Sequence, residues 1–168
     1  MKIFKNKHKL LKEILNINNL SFVPTMGGLH QGHSSLIKKT RDFKGPCLVS
    51  IFVNPKQFNR KKDFNSYPRN LQNDLKILKK LNVDYIYIPN FNDIYSFKPK
   101  KKVFLDKFSK KLCGINRNGH FKGVLNVVNR LLEITKPKYI FLGVKDFQQL
   151  NLIEQHIKKN DIQTKVIS

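Results

Sequence analysis

The chain has 168 residues, which suits one domain able to bury roughly two-thirds of the surface its unfolded form exposes. Hydrophobic residues make up 40% and charged residues 26%, and no apolar run reaches the 18 or more residues of a membrane-spanning helix, so a globular chain is expected and an integral helical membrane protein is excluded. Lys and Arg number 33 against 11 Asp and Glu, a formal charge of +22 that raises the question of a polyanionic partner.

In chain order, Met1 to Lys9 has neither the apolar stretch nor the small-residue cleavage site of a secretory signal. Leu20-Ser-Phe-Val-Pro24 reads as a short strand, and Cys47-Leu-Val-Ser-Ile-Phe-Val53 as a buried strand rich in branched and aromatic residues. Leu71, Leu75, Leu78 and Leu81 form the apolar stripe of a helix. Tyr85-Ile-Tyr-Ile88 is a strand ended by Pro89. Val124, Val127, Val128, Leu131 and Leu132 mark a second helix closed by Pro137. Tyr139-Ile-Phe-Leu142 is a strand ended by Gly143. Leu150, Ile153 and Ile157 mark a third helix closed at Asn160-Asp161, and Lys165-Val-Ile167 opens another strand. Short apolar strands alternating with amphipathic helices predict an α/β fold, a Rossmann-like parallel sheet with helices on both faces. Ligands in such sheets bind beyond the carboxyl ends of the strands. Here those ends lead into 24–33, 54–68, the segment after Pro89 and 143–149, where polar and Gly-bearing residues concentrate. The 54–68 connection is long enough for a binding loop or lid, and equally for a flexible surface loop.

The richest of these segments is Pro24-Thr-Met-Gly-Gly-Leu-His-Gln-Gly-His33, which runs from a strand into a helix starting near Gly32. Gly27 and Gly28 permit a tight turn, and Gly32 removes a side chain where a base or ribose could press. His30 and His33, three apart, project from one side of the first turn. There they add donors, or positive charge if protonated, to the unpaired N–H groups of a helix start, a setting for phosphate oxygens. The same spacing suits metal ligation, but no third ligand stands at the usual interval. Two cysteines, Cys47 and Cys113, are too few and too far apart for a disulfide scaffold or a zinc site, which fits a reduced cytoplasm.

These residues resemble the nucleotide-binding signature of the His-x-Gly-His adenylyl-transferring superfamily. With Val49-Ser-Ile-Phe-Val-Asn-Pro-Lys-Gln-Phe58, Tyr67-Pro-Arg-Asn-Leu-Gln-Asn-Asp74, Gly119-His-Phe-Lys-Gly-Val124 and Gly143-Val-Lys-Asp-Phe-Gln-Gln-Leu150 in order, the chain is similar over nearly its whole length to the pantothenate synthetase (pantoate–β-alanine ligase) family. The resemblance implies ATP-dependent condensation of pantoate with β-alanine through a pantoyl adenylate, giving pantothenate, AMP and diphosphate, with Mg²⁺ as cofactor. It implies ATP binding by Met26, Gly27, Gly28, Leu29, His30, Gln31, Gly32 and His33 and by Gly143, Val144, Lys145 and Asp146. His33 and His30 would be the catalytic pair, acting by stabilising the leaving diphosphate more than by full proton transfer. Gln57 and Gln149 would hold pantoate, and Gln57 would also face β-alanine. Uncharged amides suit a carboxylate that must stay nucleophilic. Asn54 is a further polar candidate, Arg117 and His120 are expected near the nucleotide phosphates, and Asp74 matches a position linked to Mg²⁺. Asp146 also stands where it could cap the following helix.

Val144 replaces a Glu usual in the family, and Asn73 replaces a common acidic residue before Asp74, so less negative charge is expected near Mg·ATP. The resemblance further implies a Ser-Ser-Arg segment and a smaller C-terminal domain not found within 1–168. The chain is therefore expected to be one nucleotide- and pantoate-binding domain with weak turnover by itself, and to form a homodimer. Three alternatives are a remnant that keeps only nucleotide binding, another adenylyltransferase, and a basic nucleic-acid-binding module. The Val-Asn-Pro-x-Gln-Phe run and the paired glutamines argue against the second. Against the third, 28 of the 33 basic residues are dispersed lysines, and the abundance of Asn and Ile with no Ala points to coding bias. Nucleic acid and membrane are not expected as partners.

Overall fold

The structure is a computed structural model that describes residues 1–168. Six parallel strands form one sheet: β1 (Lys2–Phe4), β2 (Ser21–Thr25), β3 (Cys47–Ile51), β4 (Tyr85–Tyr87), β5 (Tyr139–Phe141) and β6 (Lys165–Ile167), in the order β1-β4-β3-β2-β5-β6. The helices are α1 (Lys7–Ile14), α2 (Gln31–Lys39), α3 (Lys61–Asn65), α4 (Leu71–Lys80), α5 (Phe91–Tyr95), α6 (Cys113–Asn116), α7 (His120–Thr135) and α8 (Phe147–Lys159). The expected strands and the three expected helices are present. β1 and α1 lie outside the expected set: β1 is a short, largely exposed edge strand, and α1 begins at an Asn6 cap that accepts from His8 N and Lys9 N.

Alternation along each strand divides the core in two. Phe22, Leu48, Tyr87 and Ile140 face α1, α7 and α8, while Val23, Val49, Ile86 and Phe141 face α2 and α4. Helices thus cover both faces of the sheet, as expected. Pairing registers Ser21 to Thr25 against Cys47 to Ile51, and Ser21 and Phe22 against Tyr139 and Ile140. Strand order reverses at β2, because β3 and β4 extend to one side of it and β5 and β6 to the other. The chain leaving β2 and the chain leaving β5 therefore diverge, and open a crevice at the carboxyl end of the sheet.

The 54–68 connection is ordered. It holds a 3₁₀ turn at Pro55–Gln57 and α3, and Phe58 packs edge-on to Phe64 and Tyr67 with ring centroids 5.5 and 5.6 Å away. Arg69 lies over the Phe64 ring and donates to the carbonyls of Phe64, Asn65 and Tyr67, closing the end of α3.

Candidate active site

The turn after β2 is shaped from within. Gly27 and Gly28 have φ of +80 and +64°, left-handed values that cost other residues strain. A Cβ on Gly27 would lie 2.9 Å from Asp74 Oδ2. Gly27 N donates to Thr25 Oγ1 at 3.2 Å, while Gly28 N and Leu29 N donate to Asp74 Oδ2 and Oδ1 at 3.0 and 2.8 Å. His30 caps α2: its Nδ1 accepts from Gly32 N at 3.1 Å, and His33 Nδ1 accepts from His30 N at 3.3 Å. These bonds give acceptors to the amides of residues 27–30 and 32, whereas Gln31 N, the first amide of α2, has none within the chain. Gly32 also has an internal reason, because a Cβ there would lie 3.0 Å from His30 Cε1.

What this turn offers a ligand is imidazole. Each Nδ1 accepts, so each neutral ring carries its hydrogen on Nε2. The two rings lie 4.1 Å apart between centroids. Burial, and then the neighbouring His30, lower the His33 pKa below the usual histidine value. At neutral pH His33 is therefore an uncharged donor.

The turn after β3 carries Gln57. Asn54 is fully buried and saturated by protein partners. Its Oδ1 accepts from Lys56 N at 3.2 Å and Tyr95 Oη at 2.8 Å, and its Nδ2 donates to Gln57 Oε1 at 3.3 Å and Gly123 O at 3.2 Å. Asn54 therefore orients Gln57 and has no donor or acceptor plainly free for substrate. Gln57 Nε2 donates to Met26 Sδ at 2.8 Å, tying the second turn to the first. From α7, His120 Nδ1 donates to Gln57 O at 2.8 Å. One turn further on, a Cβ at Gly123 would lie 2.2 Å from Lys56 O. The Gly119-to-Gly123 run is thus the face of α7 on which the Gln57 turn sits. His120 is buried, and that burial lowers its pKa despite the bond to the carbonyl.

A cleft of about 340 Å³ joins these parts, a size suited to a small ligand. Met26, His30, Gly32, His33 and Gln57 line it from one side; Gly143, Lys145, Asp146 and Gln149 line it from the other. Asp146 occupies the cap position of α8, but its side chain makes no cap bond, which corrects that expectation and leaves the carboxylate open to the cleft. Gly27, Gly28 and Leu29 build the turn without lining the cleft, and Gln31 and Val144 point to solvent. Arg117 is exposed and His120 lies behind the wall, so neither expected phosphate neighbour lines the cleft. Tyr67 does line it, as do Val124, Val127, Val128 and Leu131 of α7. The Tyr67-Pro-Arg run and the apolar stripe were visible in sequence, but stripe residues ordinarily mean core. Burial, and then the charges of Asp74 and Asp146, push the Tyr67 pKa up.

The residues do not form a magnesium cage. Asp74 is 2% exposed, both its oxygens accept backbone N–H groups, and it does not line the cleft. No three His, Cys, Asp or Glu side chains converge as a metal-binding group. The expectation of Asp74 as a Mg²⁺ ligand does not fit this geometry.

Residues 2–168 match the family model described as pantoate-beta-alanine ligase. A pantothenate synthetase of Francisella tularensis subsp. novicida is 44% identical over 97% of the chain, and one of Fervidobacterium nodosum is 44% identical over 95%. The chain spans 63% and 57% of their respective lengths. Among solved structures, the pantoate-beta-alanine ligase of Francisella tularensis, complexed with beta-gamma ATP and beta-alanine, superposes with a TM-score of 0.93 at 43% identity. That match covers 99% of this chain and 66% of the other. A pantothenate synthetase of Thermus thermophilus gives 0.92 at 32% identity, covering 99% of this chain and 60% of the other. Sheet order, crevice and the match over nearly every residue lead to one assignment: the chain belongs to the pantoate-beta-alanine ligase family.

Proposed function

We propose that this chain binds ATP, pantoate and β-alanine in the cleft between the β2 and β5 turns and serves their condensation to pantothenate. The single observation that carries the reading is the convergence of His30, His33, Gln57, Lys145 and Gln149 on one cleft from separated stretches of sequence. In the first step a pantoate carboxylate oxygen attacks the α-phosphorus of ATP. The bond from that phosphorus to the bridging oxygen breaks, and diphosphate leaves. In the second, the β-alanine amine attacks the acyl carbon of the adenylate, loses a proton and expels AMP.

The chain's own groups address the charge that moves in these steps. The Nε2 hydrogens of His30 and His33 and the ammonium of Lys145 are the donors for phosphate oxygens, and they matter most where charge builds up on the leaving group. Gln57 and Gln149 supply amides for the pantoate hydroxyls and carboxylate without quenching its nucleophilicity. The Gln149 side chain has no hydrogen-bond partner within the chain, and Gln57 keeps one amide hydrogen beyond its bond to Met26. The α7 wall offers apolar surface for the dimethyl carbon of pantoate. Mg²⁺, when bound with ATP, neutralises phosphate charge, and we read it as carried on the nucleotide.

The reading extends to a cytoplasmic homodimer. It is supported for location by two thiols left unpaired, Cys47 buried and Cys113 exposed. Pantoate-dependent exchange of labelled diphosphate into ATP tests the first step. Exchange that needs pantoate and falls at least about tenfold in Gln57→Ala, with ATP protection against heat retained, is the expected result. ATP protection without any exchange supports the nucleotide-binding remnant instead.

A further inference from the structure

The geometry points to Asp74 as a positioning residue for the nucleotide turn, acting through backbone amides and not through a metal. Asp74 stands in the first turn of α4, 45 and 46 residues from the amides it receives. Its carboxylate is nearly inaccessible, and the two oxygens are divided between consecutive amides, Oδ2 to Gly28 N and Oδ1 to Leu29 N. Gly27 lies against Oδ2 so closely that any side chain there would collide with it. Two bonds from one rigid planar group hold the Gly27–Gly28 and Gly28–Leu29 peptides in a fixed relation, about a Gly28 that has no Cβ to restrict its rotation. The next residue is His30, whose ring caps α2 and whose amide is held by His33. Asp74 thereby sets the start from which both imidazoles are aimed.

Charge is consistent with this arrangement. In a chain of +22, a buried carboxylate on two N–H groups adds an anion beneath a site for a polyanion, yet keeps it behind the turn and out of the cleft. Its field still reaches His33, where it acts to raise the pKa against burial and His30. A metal ligand would need an oxygen facing the phosphates, and here both face protein.

The inference rests on the ATP reading of the turn, and the experiment separates the two. ATP and pantoate binding are measured by calorimetry on the full chain and on Asp74→Asn, with Mg²⁺ and with EDTA. Asn keeps the shape but sets an NH₂ against one of the two amides. The expected result is a loss of ATP affinity of about tenfold or more, equal with and without Mg²⁺, and unchanged pantoate affinity. A loss confined to the Mg²⁺ arm overturns the inference. Amide resonances of Gly28 and Leu29 in the unaltered protein provide the second measurement, which needs no variant. Slow exchange at both, and no shift on titration with MgCl₂ alone, are expected. Fast exchange, or shifts that saturate with Mg²⁺, overturn it. If the unaltered chain binds no ATP, the functional reading fails while these resonances still decide the role of Asp74.

Discussion

At position 123 a single hydrogen is all the structure can hold. A methyl group there would lie 2.2 Å from Lys56 O and 2.7 Å from Gln57 Cα, both backbone atoms that cannot swing aside. Gly123→Ala must push the Gln57 turn off α7, stretching the His120 bond to Gln57 O and the Asn54 bond to Gly123 O. Overpacking of this kind costs about 1–3 kcal/mol, and pantoate binding should fall more than ATP binding when both are titrated. His156 is the other residue whose chemistry is decided by burial. It is 0% exposed, accepts from Phe104 N at its Nδ1 and donates from Nε2 to Asn129 Oδ1, and burial lowers its pKa to about 4. The unfolded chain, with an ordinary histidine value near 6.5, takes up the proton first as pH falls. Stability is then complete above that value and lost progressively between about pH 6.5 and 4, at up to about 1.4 kcal/mol per unit. His33 and His120 shift in the same direction and steepen the loss. Urea midpoints across this range should fall with acid, and the slope should flatten in His156→Gln whatever the absolute stability of that variant.

At the scale of elements, the segment from Lys107 to Asn116 depends on one side chain of α8. Gln148 Oε1 accepts from Cys113 N at 3.1 Å, and Nε2 donates to Phe108 O and Lys111 O at 2.8 and 2.7 Å. The segment includes Leu112 at φ +48°, a strained value for a branched residue, so it requires such a restraint. Gln148→Leu leaves Cys113 N without an acceptor, takes the second donor from Phe108 O and Lys111 O, and should speed amide exchange at Cys113 while leaving β3 and α4 slow. None of this was legible in sequence, where Gln148 is one polar residue in a helix and its partners are 35 to 40 positions away. The long strands were legible because runs such as Cys47–Ile51 are buried on both faces and so apolar at every position but Ser50. β1 was not, since three edge residues bury little and carry no periodicity. The same distinction holds in the cleft. Histidines, glutamines and Lys145 stand out by residue type, whereas Asp74, Asn54 and His120 became supports once their distant backbone partners were known. Tyr67 and the α7 wall were hidden because an apolar residue lining a cleft has the same sequence pattern as one in a core.

At the scale of the whole molecule, charge is the unbalanced term. Against a net +22 there are only two ion pairs, Lys2–Glu13 at 2.7 Å and Arg41–Asp84 at 3.9 Å. Most cations therefore face solvent and one another, and the folded chain concentrates charge that the unfolded chain spreads out. Salt relieves this: the screening length falls from about 30 Å at 0.01 M to about 8 Å at 0.15 M. The Tm should rise over that range, each kcal/mol appearing as about 2–4 °C for a chain of this size. The same field attracts any polyanion, so heat protection by ATP at low salt is not evidence for the cleft. Inorganic tripolyphosphate provides the comparison, because it carries the charge without the nucleoside. Both should protect at about 0.01 M salt. At about 0.3 M, diffuse attraction is screened and protection by tripolyphosphate should shrink, while ATP held between His30, His33 and Lys145 should continue to raise the Tm by mass action. His33→Ala should lose the salt-resistant part and keep the salt-sensitive part. Equal decline of both ligands in the unaltered protein would mean that the lysine surface, not the imidazole pair, is what ATP meets.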